Sequence, residues 1–211
     1  LRKAVPSADG ELVQGIEKLE HVATGLDELV ADFLTHTRPV KDQLEQVDLA
    51  ALAKEVVEFL ALDLEQSHVE ARVEADPSVP PVVGDRGKLR RVILNLLVNA
   101  RQAMPQGGKA IVRLRPRDGQ VQLDVADTGC GIPPEEQPRI FEAFFSTKDD
   151  GTGLGLAVAK RTIEDLGGQI SFESRLGRGT TFYIVLPTAA QHEATVRRFG
   201  RPRLESPEPT A

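Results

Sequence analysis

The stretch Gln120-Val-Gln-Leu-Asp-Val-Ala-Asp127-Thr-Gly-Cys-Gly131-Ile-Pro133 changes character at Asp127. Before that point Val121, Leu123 and Val125 alternate with polar or small residues, the period-two pattern of a strand with one face on a core. Asp127 falls next on the same face, where a carboxylate is costly to bury unless something donates to it. A purine exocyclic amino group is a suitable donor. Gly129 and Gly131 then let the backbone turn sharply and approach a flat ligand closely. Cys130, between them, is read as a bystander.

Working outward, Asp118-Gly119 is a hairpin signal that joins this strand to Ile111–Arg115. Ile170–Ser174 and Thr180–Leu186 form a second hairpin around Leu176-Gly-Arg-Gly179, and Val69, Ala71 and Val73 read as a short strand closed by Asp76-Pro-Ser-Val-Pro-Pro81. Three helices are expected from Asp48 onward. Asp48 caps the first, Leu49 to about Leu64, with Leu49, Leu52, Ala53, Val56, Phe59 and Leu60 facing inward. Asp85 caps the second, which runs to about Met104, and the third spans Leu156 to Leu166 and ends at Gly167-Gly168. With hairpins dominant and crossovers few, the fold class is α+β, helices layered on one face of a sheet.

The second helix buries Leu89, Val92, Ile93, Leu96, Leu97 and Ala100, while Asn95, Asn99 and Gln102 line one flank. An isolated pair of asparagines would be ordinary surface amides, but an amide oxygen can also complete the coordination of Mg²⁺ that already holds phosphate oxygens. The third helix is entered through Gly151-Thr152-Gly153-Leu154-Gly155, which aims free backbone N–H groups and the helix dipole at an anion. The spacing is neither a Walker A loop nor a dinucleotide fingerprint. Between the two motifs, Pro134 to Asp150 reads as a lid anchored by Phe141, Phe144 and Phe145, and Ser146-Thr-Lys148 could set an ammonium near phosphates.

In this order, the Asn95–Asn99 helix, the Asp127 turn, the Phe141-Glu-Ala-Phe-Phe-Ser-Thr-Lys148 segment, the Gly151 loop and Gly177-Arg-Gly-Thr-Thr-Phe182 resemble the N, G1, F, G2 and G3 boxes of the catalytic, ATP-binding domain of bacterial sensor histidine kinases. The nitrogen-regulation type is the most similar, and the domain belongs to a superfamily shared with gyrase, Hsp90 and MutL. The resemblance covers roughly Asp48 to Pro187 and implies a two-layer α/β sandwich with a mixed sheet. It implies that Asn99 ligates Mg²⁺ and that Asn95 and Lys148 sit at the reacting phosphates as catalytic residues. Asp127 would bind adenine, supported by Gly129, Gly131, Ile132 and Thr180, and Gly151, Thr152, Gly153, Leu154 and Gly155 would bind phosphate beside Gln102. The ATPase members carry a glutamate where this chain has Asn95. Asn95 cannot take a proton, which suits phosphoryl transfer to a histidine rather than hydrolysis.

The kinases carry that histidine in a block like His-Glu-x-x-Asn-Pro on a dimeric helical hairpin. No such block occurs here, and His21, His36, His68 and His192 have no supporting pattern. From Leu12 to about Arg38 the apolar residues recur at spacings of three and four, so residues 1–44 are read as a remnant of the hairpin, its second helix at about 12–38, with the acceptor upstream of Leu1. Residues 45–187 form the catalytic domain, and from Thr188 to residue 211 a disordered tail is expected.

The implied partners are a response regulator receiver domain and a second copy in a full-length homodimer. The net charge of −6, no Trp and one Tyr argue against nucleic acid. No apolar run approaches the roughly 18 residues of a membrane span, so no membrane contact by this chain is expected, although the parent could be anchored. One cysteine suits a reducing, cytoplasmic setting. Two alternatives stay open, an ATPase of the same superfamily and a non-catalytic nucleotide-binding docking module.

Overall fold

The computed structural model describes residues 44–148 and 151–191. The expected helix at 12–38, with His21 and His36, lies outside them, as do His192 and the remainder of the expected tail. In chain order the elements are β1 (Leu44–Val47), α1 (Leu49–Phe59), α2 (Ala61–Gln66), β2 (Val69–Ala75), β3 (Val82–Asp85), α3 (Arg86–Gln102), β4 (Gly108–Arg117) and β5 (Gln120–Asp127). A single 3₁₀ turn, Gln137–Arg139, precedes α4 (Gly155–Asp165), β6 (Gln169–Arg175) and β7 (Gly179–Pro187).

Five strands form a mixed sheet in the order β2-β4-β5-β7-β6, parallel only between β2 and β4. Its covered face is built by alternation: Ala110, Val112 and Leu114 of β4, Val121, Leu123 and Val125 of β5, and Phe182, Ile184 and Leu186 of β7 are all buried. Helix α3 lays Leu89, Val92, Ile93, Leu96, Leu97 and Ala100 onto this layer. The α+β class with helices on a mixed sheet is therefore as expected.

Helix starts follow local chemistry. Asp48 accepts the N–H groups of Ala50 (2.9 Å) and Ala51 (3.0 Å), and Asp85 accepts that of Lys88 (3.0 Å), so two orphan donors of α1 and one of α3 are met by side chains. Asp118 (φ 48°) and Gly119 (φ 78°) form the two-residue hairpin turn between β4 and β5, both left-handed as that turn requires.

Several expectations need correction. The helix read from Leu49 to Leu64 is two helices meeting at Leu60, a break that keeps Val56, Leu60 and Leu64 all in the core. Phe59 is not inward-facing: it is 64% exposed, with the Arg90 guanidinium 4.7 Å over its ring. Leu60 takes the inward place one position later. Leu44–Val47, just before Asp48, is strand β1, antiparallel to β3; neither strand was expected, both being too short and too mixed in composition to show a period. Thr188 and Ala189, expected in a disordered tail, are ordered: Thr188 pairs with Val82, Ala189 is buried, and the Ala189 N–H donates to Pro81 O at 2.9 Å.

Residues 146–148 and 151–152 belong to a separate compact unit. Ser146 Oγ accepts the Lys148 N–H (3.1 Å) and donates to Lys148 O (3.2 Å), and the Gly151 N–H also donates to Lys148 O (3.2 Å). Among the described residues no helix is long and apolar enough to cross a membrane.

Candidate functional site

Strand β5 delivers Asp127 to the edge of the core, where its carboxylate is partly buried. Oδ1 accepts two backbone N–H groups, from Gly129 at 2.8 Å and from Thr180 at 3.1 Å. Oδ2 has no hydrogen-bond partner among the described residues. Burial holds the Asp127 carboxyl above the ordinary value near 3.8, and the two N–H donors oppose that rise without cancelling it. A fixed carboxylate with one oxygen spent and the other open is a site for an amino donor.

The turn after Asp127 is locked on three sides. The Cys130 N–H donates to Ala103 O (2.9 Å) at the end of α3, and Cys130 O accepts the Gly177 N–H (2.7 Å) from the β6–β7 turn. The Ile132 N–H donates to Ser174 Oγ (2.8 Å), while Gln137 Nε2 donates to Ile132 O (2.9 Å). Glycine is demanded by this crowding: a Cβ on Gly131 (φ 71°) would lie 2.2 Å from Arg175 O, and one on Gly129 would lie 2.5 Å from Ala103 O. The glycines thus serve close backbone docking first. The Cys130 thiol is exposed and makes only a 3.5 Å contact with Gly131 O.

Asn95 and Asn99 are one turn apart on α3 and partly buried, and Gln102 is exposed at the helix end. Asn95 Nδ2 donates to Gly155 O at 3.1 Å, which ties α3 to the start of α4 and leaves the amide oxygen as the atom for a ligand. Leu154 is buried and precedes α4 with no side-chain cap, unlike Asp48 on α1 and Asp85 on α3. Gly153 takes φ 69°, and its carbonyl accepts the Phe144 N–H at 3.1 Å.

Of the expected lid anchors, Phe141 holds: it packs edge-on against Phe172 (5.9 Å) and Phe182 (6.4 Å). Phe145 lies under the Arg139 guanidinium at 4.3 Å. Phe144 does not anchor by its side chain, being 70% exposed at φ 66°, and is held through its backbone N–H on Gly153 O instead.

Residues 44–145 and 153–191 thus bring together Asp127, Gly129, Gly131, Ile132 and Thr180 at one end of β5, and Asn95 with Gly155 between α3 and α4. Lys148, Gly151 and Thr152 fall in the separately described segment. Ser174 and Gln137 were missed by sequence reasoning. A signal existed, since Ile170, Phe172 and Ser174 share one strand face, and a hydroxyl at an inward position facing Thr180 across the hairpin needs a reason.

Residues 84–190 match the family described as histidine kinase-, DNA gyrase B-, and HSP90-like ATPase. The chain belongs to this family. It is 37% identical over 172 residues to the signal transduction histidine-protein kinase AtoS of Escherichia coli (strain K12), covering 81% of this chain and 28% of AtoS. The full-length ShkA structure in complex with AMPPNP superposes with a TM-score of 0.73 at 28% identity, over 92% of this chain and 42% of that one. The nucleotide-free catalytic domain of histidine kinase ThkA gives a TM-score of 0.63 at 31% identity, over 69% of this chain and 96% of that domain. The chain therefore spans less than half the length of AtoS or ShkA, and it resembles the catalytic part of sensor histidine kinases.

Among the described residues no group of three or more His, Cys, Asp and Glu side chains gathers to hold a metal ion. A divalent cation here would have to arrive with oxygen ligands of its own, as a metal bound to phosphates does. The asparagines fit that role.

Proposed function

We propose that this chain is the ATP-binding catalytic domain of a two-component sensor histidine kinase. The full protein would transfer the γ-phosphoryl group of ATP to one of its histidines, and from there to an aspartate of a response regulator receiver domain. Asp127 carries the reading: its Oδ1 is pinned by Gly129 and Thr180, and its Oδ2 is presented to an amino group such as that of adenine. ATP supplies the phosphoryl group, with Mg²⁺ screening the phosphate charge. Asn99 is assigned to the cation and Asn95 to the phosphates. Lys148, Gly151, Thr152, Gly153, Leu154 and Gly155 are assigned to the phosphate-binding loop, with Gln102 beside it.

Asn95 cannot act as a general base, so the residue nearest the α4 entrance does not activate water. That favours a site that holds ATP until a histidine arrives. The acceptor is assigned to a part of the parent protein beyond these 211 residues, because none of the four histidines sits in a His-Glu-x-x-Asn-Pro block. The parent is proposed to act as a cytoplasmic-facing homodimer.

The test is binding of a non-hydrolysable ATP analogue with Mg²⁺ to the 211-residue chain, followed by acid-labile phosphate on the parent protein given ATP. Binding lost in Asp127→Asn and phosphate on a histidine are expected. Binding retained in that variant would remove the base-recognition role, and rapid ATP hydrolysis without phosphoprotein would favour an ATPase instead.

A further inference from the structure

The hydroxyls of Ser174 and Thr180 face each other across the β6–β7 hairpin with their oxygens 2.9 Å apart, and the two residues are register partners. Both side chains point to the covered side of the sheet, and Thr180 is only 5% exposed. Ser174 Oγ also accepts the Ile132 N–H at 2.8 Å and lies 3.2 Å from Gly179 O. Among the described residues, Ser174 is the one hydroxyl partner of Thr180, whose own N–H is committed to Asp127 Oδ1 at 3.1 Å.

A hydroxyl has one proton to give. With the Ile132 N–H already donating to it, Ser174 can send its proton either to Thr180 Oγ1 or to the more distant Gly179 carbonyl. In the first state Thr180 accepts from Ser174 and keeps its own proton for the pocket, and accepting that bond makes it a better donor. In the second state Thr180 must donate to Ser174 and can only accept from a ligand. The purines differ at this edge. Adenine shows a 6-amino donor next to the N1 acceptor, whereas guanine shows a 6-oxo acceptor next to an N1–H donor. Asp127 Oδ2 accepts only, so the base that fits beside it needs a donor at the neighbouring position.

We propose that Ser174 is a positioning residue for base recognition: it donates to Thr180 Oγ1 and so commits the Thr180 hydroxyl to donate to N1 of adenine, while Asp127 accepts from the 6-amino group. This rests on the reading of Asp127 as the base-binding carboxylate. Gln137 braces the same loop without touching the Thr180 hydroxyl, since its Nε2 donates to the carbonyls of Ile132 (2.9 Å) and Ser174 (3.4 Å).

The experiment compares the dissociation constants of Mg²⁺-ATP and Mg²⁺-1-deaza-ATP, which keeps the amino group but replaces N1 by C–H, on the 211-residue chain by calorimetry. The wild type prefers ATP by about three- to tenfold, the worth of one hydrogen bond. Ser174→Ala loses most of that ratio and Ser174→Thr restores it. Gln137→Ala weakens both nucleotides alike and keeps the ratio. The assignment is overturned by a wild-type ratio of one, by an unchanged ratio in Ser174→Ala, or by an equal loss of ratio in Gln137→Ala. Asp127→Asn separates the two levels: if it still binds ATP, the base-binding reading falls as well, and if it does not, an unchanged ratio in Ser174→Ala removes the Ser174 role alone.

Discussion

Asn95 Nδ2 donates to the carbonyl oxygen of Gly155, 3.1 Å away and 60 residues further along the chain. One side-chain amide thereby joins the helix that carries both site asparagines to the first residue of α4. An aspartate at this position would set a carboxylate oxygen against the Gly155 carbonyl and lose the donor. Asn95→Asp is expected to lower the unfolding free energy by about 1–3 kcal/mol, at least as much as Asn95→Ala, in urea denaturation. Wild-type stability in Asn95→Asp would show that the bond contributes nothing to the α3–α4 contact.

Asp127 is held above the ordinary carboxylate value by burial. A raised carboxyl pKa means the fold prefers the protonated form, so the stabilising contribution is full below about pH 3.8 and is lost as pH rises through the raised value. At neutral pH the ionised carboxylate therefore burdens the nucleotide-free protein. Asp127→Asn, whose amide oxygen can still accept from Gly129 and Thr180, should melt at the same temperature as the wild type or higher at pH 7 while losing nucleotide affinity. In the wild type, affinity should fall on acidification at a higher pH than an ordinary aspartate would dictate. Thermal melts and calorimetry across the acid range give both readings, and a clearly lower melting temperature for Asp127→Asn at pH 7 would contradict the sign.

Gly153 takes φ 69°, and a Cβ there would lie 2.5 Å from the Phe144 carbonyl carbon and 2.7 Å from Phe145 N. Neither is a flexible side-chain tip. Gly153→Ala should cost about 1–3 kcal/mol from backbone strain and clash, and should weaken nucleotide binding because Gly153 joins Phe144 to the entrance of α4. Chemical denaturation with a parallel binding assay checks this; an alanine variant with unchanged stability would mean that the Phe144–Gly153 clasp yields easily.

Asp48 caps α1 with bonds to Ala50 and Ala51 and has no part in the proposed site. Its replacement by alanine should remove about 1 kcal/mol of stability. Nucleotide affinity should stay within about twofold of wild type, since a loss of about 1 kcal/mol leaves the folded state dominant and the Asp48 carboxylate bonds only Ala50 and Ala51. A large loss of affinity at fixed temperature would mean that α1 is coupled to the pocket.

Much of the fold was legible because single rules governed its parts. Alternation in Val121, Leu123 and Val125 placed β5 and predicted the face of Asp127, and the spacing from Leu89 to Ala100 placed α3. Asp118-Gly119 fixed a turn that only left-handed conformations can make. What escaped were elements whose meaning depends on a partner far along the chain. Val82–Asp85 becomes a strand because Leu44–Val47 lies beside it, and Leu60 ends α1 because the core needs Leu64. In the site, the residue types were readable but their bonding was not. The Asp127 turn announced a carboxylate and two glycines, yet its support comes from Ala103, Gln137, Ser174 and Gly177, which no local motif connects.

Strand β3 has Val47 on one side and Thr188 on the other, both paired to Val82. The two flanking chain segments are thus only about 10 Å apart, two strand spacings. Residues 44–47 and 188 thus enter and leave the described fold at one place, on either side of a single strand. The same short strand runs through Asp85 directly into α3, so the strand that both segments flank is continuous with the helix that carries Asn95 and Asn99.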